Sequence, residues 1–201
     1  EARGEYLLFL NNDVEIITEN WLEEMLQLCQ QKDVGMVGAK LYYPDDTIQH
    51  AGVVVGLGGV AAHVLCKLPR DAEGYMGRLR CVQEISAVTA ACMMVKTSVF
   101  KAVGGFDEEL KVAFNDIDLC MKVRKYGEKI VFTPYAELYH YESKSRGMED
   151  TPEKQLRFSR EVNCFRRKWE RELLKGDPYY NPNLTLNNTD CSLRKQEKNG
   201  D

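Results

Sequence analysis

The sequence predicts an α/β fold, with a mixed, mainly parallel sheet flanked by helices, on three observations. Tyr6-Leu7-Leu8-Phe9-Leu10 is a continuous apolar run stopped by Asn11-Asn12-Asp13, the pattern of a strand buried on both faces. Strand-like and helix-like stretches then alternate along the chain. The 201 residues are 44% hydrophobic, 29% charged and 9% aromatic, a globular composition that excludes disordered and fibrous chains. At roughly 150 residues per domain, the length fits one domain with an appendage.

The first strand, 6–10, ends where function collects in an α/β sheet, outside the carboxyl ends of strands. Asn20 with Glu23 three residues later is a cap-like helix start. Trp21, Leu22, Met25, Leu28 and Cys29 keep helical spacing, so this helix packs back on the sheet. Residues 34–43 read as a strand closed by the turn Pro44-Asp45-Asp46, and Val53-Val54-Val55 continues the β character. Residues 84–95 are strand-like, and their small members Ser86, Ala87, Thr89, Ala90 and Ala91 leave space for a ligand. Residues 97–103 form a short helix closed by Gly104-Gly105. From Asp116 a helix runs to Gly127. Residues 129–132 then form a strand closed by Thr133-Pro134, with Tyr139-His140-Tyr141 just beyond it. Thr151-Pro152 opens a long helix in which Phe158, Val162, Phe165, Trp169 and Leu173 make an apolar stripe. Residues 177–201, Pro- and Asn-rich with a charged end, read as an extended tail.

Charge and cysteine usage bound the function. With 27 basic against 31 acidic residues the net charge is −4, so no overall field recruits nucleic acid. The seven cysteines contain no C-x-x-C and make an odd total, and read as reduced thiols in a cytosolic protein, mostly small core fillers. The most apolar stretch, 52–65, is glycine-rich and broken by His63, short of the ~18 continuous apolar residues of a membrane span. The chain opens on Glu1-Ala2-Arg3-Gly4, which reads as a piece of a longer protein.

Three places carry groups capable of chemistry at strand ends or a helix start: Asp13, Asp116 with Asp118, and His140. Each alone has an ordinary structural explanation, as turn residue, helix-dipole partner or satisfied histidine. Their coincidence in one fold is what points to a site.

Taken in order, Leu8-Phe9-Leu10-Asn11-Asn12-Asp13, the stretch from Val88-Thr89-Ala90-Ala91-Cys92 through Gly104-Gly105-Phe106-Asp107-Glu108, then Phe114-Asn115-Asp116-Ile117-Asp118-Leu119-Cys120 and Tyr139-His140 resemble the motifs of family 2 glycosyltransferases with the GT-A fold. The likeness is to the bacterial branch that builds O-antigen, rhamnan and other surface polysaccharides, and extends to Asp177-Pro178-Tyr179-Tyr180-Asn181-Pro182-Asn183-Leu184, roughly residues 1–186 in all. The resemblance implies transfer of a sugar from a nucleotide-diphosphate donor to a hydroxyl of a glycan or lipid-linked acceptor, with inversion. Asn11-Asn12-Asp13 stands where the family carries Asp-x-Asp, so Asp13 inherits a metal-ligand role and His140 the histidine that completes the site, with Mn²⁺ or Mg²⁺ as cofactor. Asn11 replaces the first acid and, with Asn12, is assigned to donor binding through hydrogen bonds without charge. Asp116 matches the catalytic base. Thr89, Ala90 and Asn115 line the acceptor pocket, Asn115 standing where the family more often has Glu.

On this reading residues 1–150 are the metal and acceptor part of a GT-A domain, 151–176 a helix packed on it and 177–201 a tail. The nucleotide-binding half, two or three βαβ units of ~30 residues each, is missing, so the isolated chain is expected to be weakly active or inactive. Two rival readings are a non-catalytic sugar-binding or scaffolding module with the same fold, and a metal-dependent phosphoesterase using Asp13, Asp116, Asp118 and His140. Gly56-Leu57-Gly58-Gly59-Val60-Ala61 formally fits a dinucleotide pattern, but no strand–loop–helix unit surrounds it, and a flap near the acceptor is the reading adopted. His50 and His63 read as incidental, with lining of that flap by either as the alternative. Residues 151–175 hold eight Lys/Arg and four Asp/Glu, read as a solvated helix face, with peripheral contact to anionic lipid at the inner membrane face as the alternative. The oligomeric state is left open.

Overall fold

The computed structural model describes residues 2–141 and 151–195. The junction between the first two expected units and the end of the tail therefore lie outside the described residues. The chain runs β1 (Tyr6–Leu10), β2 (Val14–Ile16), α1 (Trp21–Cys29), β3 (Val34–Tyr42), β4 (Ile48–His50), β5 (Val53–Val55), β6 (Ala61–His63), β7 (Gln83–Glu84), β8 (Cys92–Lys96), α2 (Thr97–Ala102), α3 (Asn115–Tyr126), β9 (Lys129–His140), α4 (Pro152–Lys168) and α5 (Glu170–Lys175).

The main sheet has the order β1-β8-β3-β9-β2, with β4 added on β3 and β7 on β9, while β5 and β6 form a separate hairpin. It is mixed, as expected, but not mainly parallel. Only the β3·β9 pair is parallel, and the other described pairs are antiparallel. Nor is β1 buried on both faces. Among the described residues it pairs with β8 alone, and Leu8 and Leu10 are 37% and 41% exposed. An apolar run indicates two apolar faces; it does not say whether both are covered.

β3 is buried along its whole length and divides the core. Val37, Ala39 and Leu41 meet Trp21, Met25 and Cys29 of α1 on one face. Met36 and Tyr42 join the larger cluster that includes Ile117, Leu119, Cys120 and Val123 of α3 and Phe165 of α4 on the other. Asn20 precedes α1 without capping it; its amide reaches Glu24 Oε1 at 3.0 Å instead. All seven cysteines are free, and four are buried. Burial pushes the Cys29 and Cys92 thiols up to about 12, which makes them inert packing groups.

Two sequence expectations about strand ends are corrected. The strand from Lys129 does not stop at Thr133-Pro134. It runs to His140, because Pro134 falls where the ladder to β3 shifts register between Gly38 and Lys40, so the missing N–H costs nothing. The strand expected over 84–95 is two short strands separated by an irregular stretch at 85–91. Gly38 explains this, since a Cβ there would lie 2.5 Å from Val88 Cβ, so the segment crosses directly against β3.

The long C-terminal helix is capped by Thr151, whose side chain accepts from Lys154 N, and breaks at Trp169 into α4 and α5. Its stripe is buried at Phe165 and Trp169, but Phe158 is 41% exposed. Residues 177–195 are not an extended tail. Tyr180, Leu184 and Cys191 are buried, and the backbone bonds Gly58 N to Leu186 O and Leu65 N to Thr189 O tie the segment to the β5–β6 hairpin. Apolar side chains spaced among the prolines and asparagines supply that packing.

Candidate functional site

Backbone pairing builds the site. Asn11 N donates to Ala91 O at 3.0 Å, fixing the end of β1 beside the start of β8. The chain turns through Asn12 and Asp13 into β2, where Val14 pairs with His140 of β9, and Tyr141 N donates to Asp13 O at 2.8 Å. This register brings residues 13 and 140 together. Asp13 Oδ1 lies 3.2 Å from His140 Nε2, with side chains 14% and 11% exposed. Asn11 Nδ2 is 3.0 Å from the same Nε2. On the other side of the ring, His140 Nδ1 is 2.7 Å from Gln49 Oε1, and Gln49 Nε2 donates to His140 O at 3.3 Å.

That two-way clasp assigns the proton to Nδ1, because Gln49 Oε1 can only accept. In that neutral tautomer the Nε2 lone pair accepts from Asn11 Nδ2 and lies beside the Asp13 carboxylate. A carboxylate oxygen and an imidazole lone pair converging at this spacing fit a divalent cation, with the far ring nitrogen held by a carbonyl as metal-binding histidines usually are. The protein ligands are two. Among the described residues no group of three or more His, Cys, Asp or Glu side chains could hold a metal ion. The set therefore suits a cation that takes its other ligands from phosphate oxygens and water, the usual state of Mg²⁺ and its relatives at phosphate sites.

Asp116 meets the same junction through the segment that leads into β8. Phe114, held at φ 63° with its ring against Phe158 and Phe165, turns the chain into α3. Asn115 Oδ1 accepts from Asp116 N at 2.7 Å. Asp116 Oδ2 accepts from Ala90 N at 3.1 Å and Oδ1 from Ile117 N at 2.8 Å. Asn11 and Asp116 thus bond to consecutive residues, Ala91 and Ala90. Asp116 is half-buried and in no ion pair among the described residues. Asp118 differs. It is fully buried, accepts from Trp169 Nε1 at 2.8 Å and pairs with Lys122 and Lys168, which makes it structural.

Thr89, beside Ala90, and His140 line one cavity of about 280 Å³ together with Tyr43, Gln49, His63 and Cys66. Asn12 is exposed in the turn. His50 and His63, read as incidental, belong to this neighbourhood. Their Nδ1 atoms are 3.0 Å apart, with rings edge-on at 4.9 Å, and His50 is fully buried. Burial, then the neighbouring His63 and His140, pulls the His50 imidazole well below 6.5. Gln49 was missed. A glutamine and a histidine inside an otherwise apolar stretch, 48–55, were the visible sign that β4 meets polar partners.

Residues 1–161 match the model of a glycosyltransferase-like family. The chain belongs to that family. Among relatives of this glycosyltransferase-like chain, the protein y4gI of Sinorhizobium fredii is 56% identical over 194 residues, covering 96% of this chain and 21% of its own length. The O-antigen biosynthesis protein RfbC of Myxococcus xanthus is 41% identical over 202 residues, covering all of this chain and 16% of its own length. The chain thus spans a small part of the curated relatives it matches. Its fold is similar to a mannosyltransferase of Pyrobaculum calidifontis solved with GDP-Man and Mn²⁺, with TM-score 0.52, 15% identity, and 85% of this chain and 40% of that one covered. It is likewise similar to GalNAc-T7 solved with UDP, GalNAc and Mn²⁺, with TM-score 0.55, 14% identity, and 85% and 33% covered. At these identities the likeness establishes the GT-A-like fold alone.

Proposed function

We propose that this chain is the metal- and acceptor-bearing part of an inverting, metal-dependent glycosyltransferase that builds a bacterial surface polysaccharide or lipid-linked glycan from a nucleotide-diphosphate sugar. The observation that carries the reading is the contact of Asp13 Oδ1 with His140 Nε2 at 3.2 Å, joined through Asn11, Ala91 and Ala90 to Asp116. The relative named for O-antigen biosynthesis supports the polysaccharide assignment. So does a 62-residue match, 36% identical, to N-acetylglucosaminyl-diphospho-decaprenol L-rhamnosyltransferase of Mycobacterium tuberculosis, covering 31% of this chain and 20% of that protein.

A Mn²⁺ or Mg²⁺ ion held by Asp13 and His140 would stabilise the negative charge that the departing nucleoside diphosphate gains. Gln49 orients the imidazole, and Asn11 Nδ2, bonded to His140 Nε2, would yield that lone pair to the ion and turn, with Asn12, to the donor. Asp116 is the base. Backbone N–H groups of Ala90 and Ile117 hold its two oxygens in place, and each keeps a lone pair for the proton of an acceptor hydroxyl. That hydroxyl attacks the anomeric carbon from the face opposite the leaving diphosphate, which inverts the centre. Thr89, Ala90 and Asn115 border the acceptor.

The phosphoesterase alternative loses its fourth ligand, because Asp118 is committed to Trp169 and two lysines. Among the described residues no helix is long and apolar enough to cross a membrane. The basic run of α4 is partly spent in packing, Arg166 on Gly59 O and Lys168 on Asp107 and Asp118, so residence at the inner membrane face would rest on the remaining cations. The test is transfer of labelled sugar by the full-length protein. Asp13→Asn and Asp116→Asn should each abolish it, and Asp116→Asn retaining turnover within a few-fold would remove Asp116 as base. Tight metal and sugar binding with no transfer in the unaltered protein would favour the scaffolding alternative.

A further inference from the structure

A second, larger cavity of about 750 Å³ is lined by none of the residues assigned to transfer. Its floor is a cross-strand pair. Lys40 of β3 sits beside Glu137 of β9, and Tyr42 beside Tyr139 two residues along, on the same face. Arg70 lies over this floor, pairing with Glu137 Oε2 at 3.2 Å and Asp46 Oδ1 at 3.4 Å, its guanidinium 4.8 Å from the centre of the Tyr42 ring. Glu137 also accepts from Tyr42 OH, so neither Arg70 nor Glu137 is idle.

Lys40 is different. It is 3% exposed, yet among the described residues its ammonium finds one acceptor, Leu79 O at 3.2 Å, and one ring face, Tyr42 at 5.3 Å. An ammonium carries three donors, and a desolvated one with donors unmet is costly unless an oxygen is brought to it. Burial accordingly lowers the Lys40 pKa, with Glu137 opposing. At the rim, Tyr135 is 53% exposed and anchored through its hydroxyl to Arg80 O at 3.3 Å, which leaves a ring presented to the cavity.

The charge balance selects the ligand class. Three cations, Lys40, Arg70 and Arg80, face four carboxylates, Asp45, Asp46, Asp71 and Glu137. An anion would need surplus positive charge, and the sum is −1. An apolar ligand would strip water from the solvated charged groups and leave Lys40 without a further acceptor. A neutral polyol offers hydroxyls that both donate and accept, so it can meet Lys40 and the carboxylates at once while a sugar ring lies on Tyr135. The volume is within the range of small-molecule sites, roughly 300–1,000 Å³.

We propose that this cavity is a saccharide-binding site separate from the transfer site, taking a neutral sugar of one or two residues between Lys40, Asp71 and Tyr135. It would hold a stretch of glycan away from the point of transfer, and it stands whether or not Asp116 is the base.

The test is ligand-observed NMR saturation transfer on the whole chain. The probes are methyl glycosides of glucose, mannose, N-acetylglucosamine and rhamnose, the corresponding disaccharides, and inorganic phosphate. At least one neutral sugar should receive saturation. Its dissociation constant should rise at least about fivefold in Tyr135→Ala and in Asp71→Asn, the scale of one lost ring contact or hydrogen bond, and stay unchanged in Asp13→Asn. Both surface variants are expected to fold, so the result does not depend on replacing buried Lys40. Transfer to none of the sugars, transfer indifferent to both variants, or sugar displaced by phosphate would each overturn the proposal.

Discussion

Asp116 and Asp118 are two residues apart on one helix, and the same substitution should do opposite things to them. Asp118 is fully buried, takes Trp169 Nε1 at 2.8 Å and faces Lys122 at 3.2 Å and Lys168 at 2.8 Å. Asp118→Asn keeps the volume but sets an amide against two ammonium groups. Breaking a buried pair costs ~3–5 kcal/mol. Lys122 keeps Gly105 O and Lys168 keeps Asp107, and their side chains are 19% and 31% exposed, so both can partly rehydrate. The low end, about 3 kcal/mol, is therefore expected, or a melting temperature ~6–12 °C lower for a chain of this size. Asp116→Asn breaks no ion pair, but one of the oxygens that accept from Ala90 N and Ile117 N becomes a donor, so the low end of ~1–3 kcal/mol, or a melting temperature ~2–4 °C lower, is expected at this half-buried position, while sugar transfer falls ~10²–10⁴-fold for loss of a general base. Calorimetric melting of both variants, with transfer measured in the full-length protein, reads the two effects separately. An Asp118→Asn protein that melts with the unaltered one, or an Asp116→Asn protein that is the less stable, would refute the division of roles.

Other substitutions probe how the site is held. Gly38→Ala would drive a methyl into Val88 and should cost ~1–3 kcal/mol by overpacking, seen as a lowered urea midpoint; an unchanged midpoint would mean that residues 85–91 do not need this close crossing. Glu161 accepts from Val112 N at 3.1 Å and Ala113 N at 3.0 Å just ahead of Asp116. Glu161→Gln turns one acceptor into a donor facing an N–H, so a loss of ~1–3 kcal/mol is expected by thermal melting, and none would contradict the clamp. His50 stays neutral in the folded chain, because its pKa is depressed well below 6.5. The unfolded chain therefore binds one more proton below that value, and stability falls as pH drops through 6.5. Between pH 7.5 and 5.5 the loss should be about 1.4 kcal/mol greater in the unaltered chain than in His50→Gln by urea titration, and equal losses would refute it.

Much of this candidate site's geometry was legible because short-range patterns mark it. A strand stopped by Asn11-Asn12-Asp13, a helix opening near Asp116 and a histidine at position 140 are short-range patterns, and β pairing does bring them to one junction. What the chain does not display locally is partnership across it. Pro134 seemed to end a strand, because the register shift that accommodates it belongs to β3. Gln49, His50 and His63 looked unremarkable because their partners lie up to 91 residues away. The sheet direction was misjudged for a related reason, since an apolar run such as 6–10 specifies burial and not the sense of its neighbour.

The central claim is that Asp13 and His140 together hold a divalent cation. Pulsed electron paramagnetic resonance of Mn²⁺ added to the chain with a nucleoside diphosphate should show coupling to one histidine nitrogen. That coupling should vanish in His140→Gln and persist in His50→Gln. Absence of any histidine nitrogen from the bound Mn²⁺, or its persistence without His140, would contradict the account.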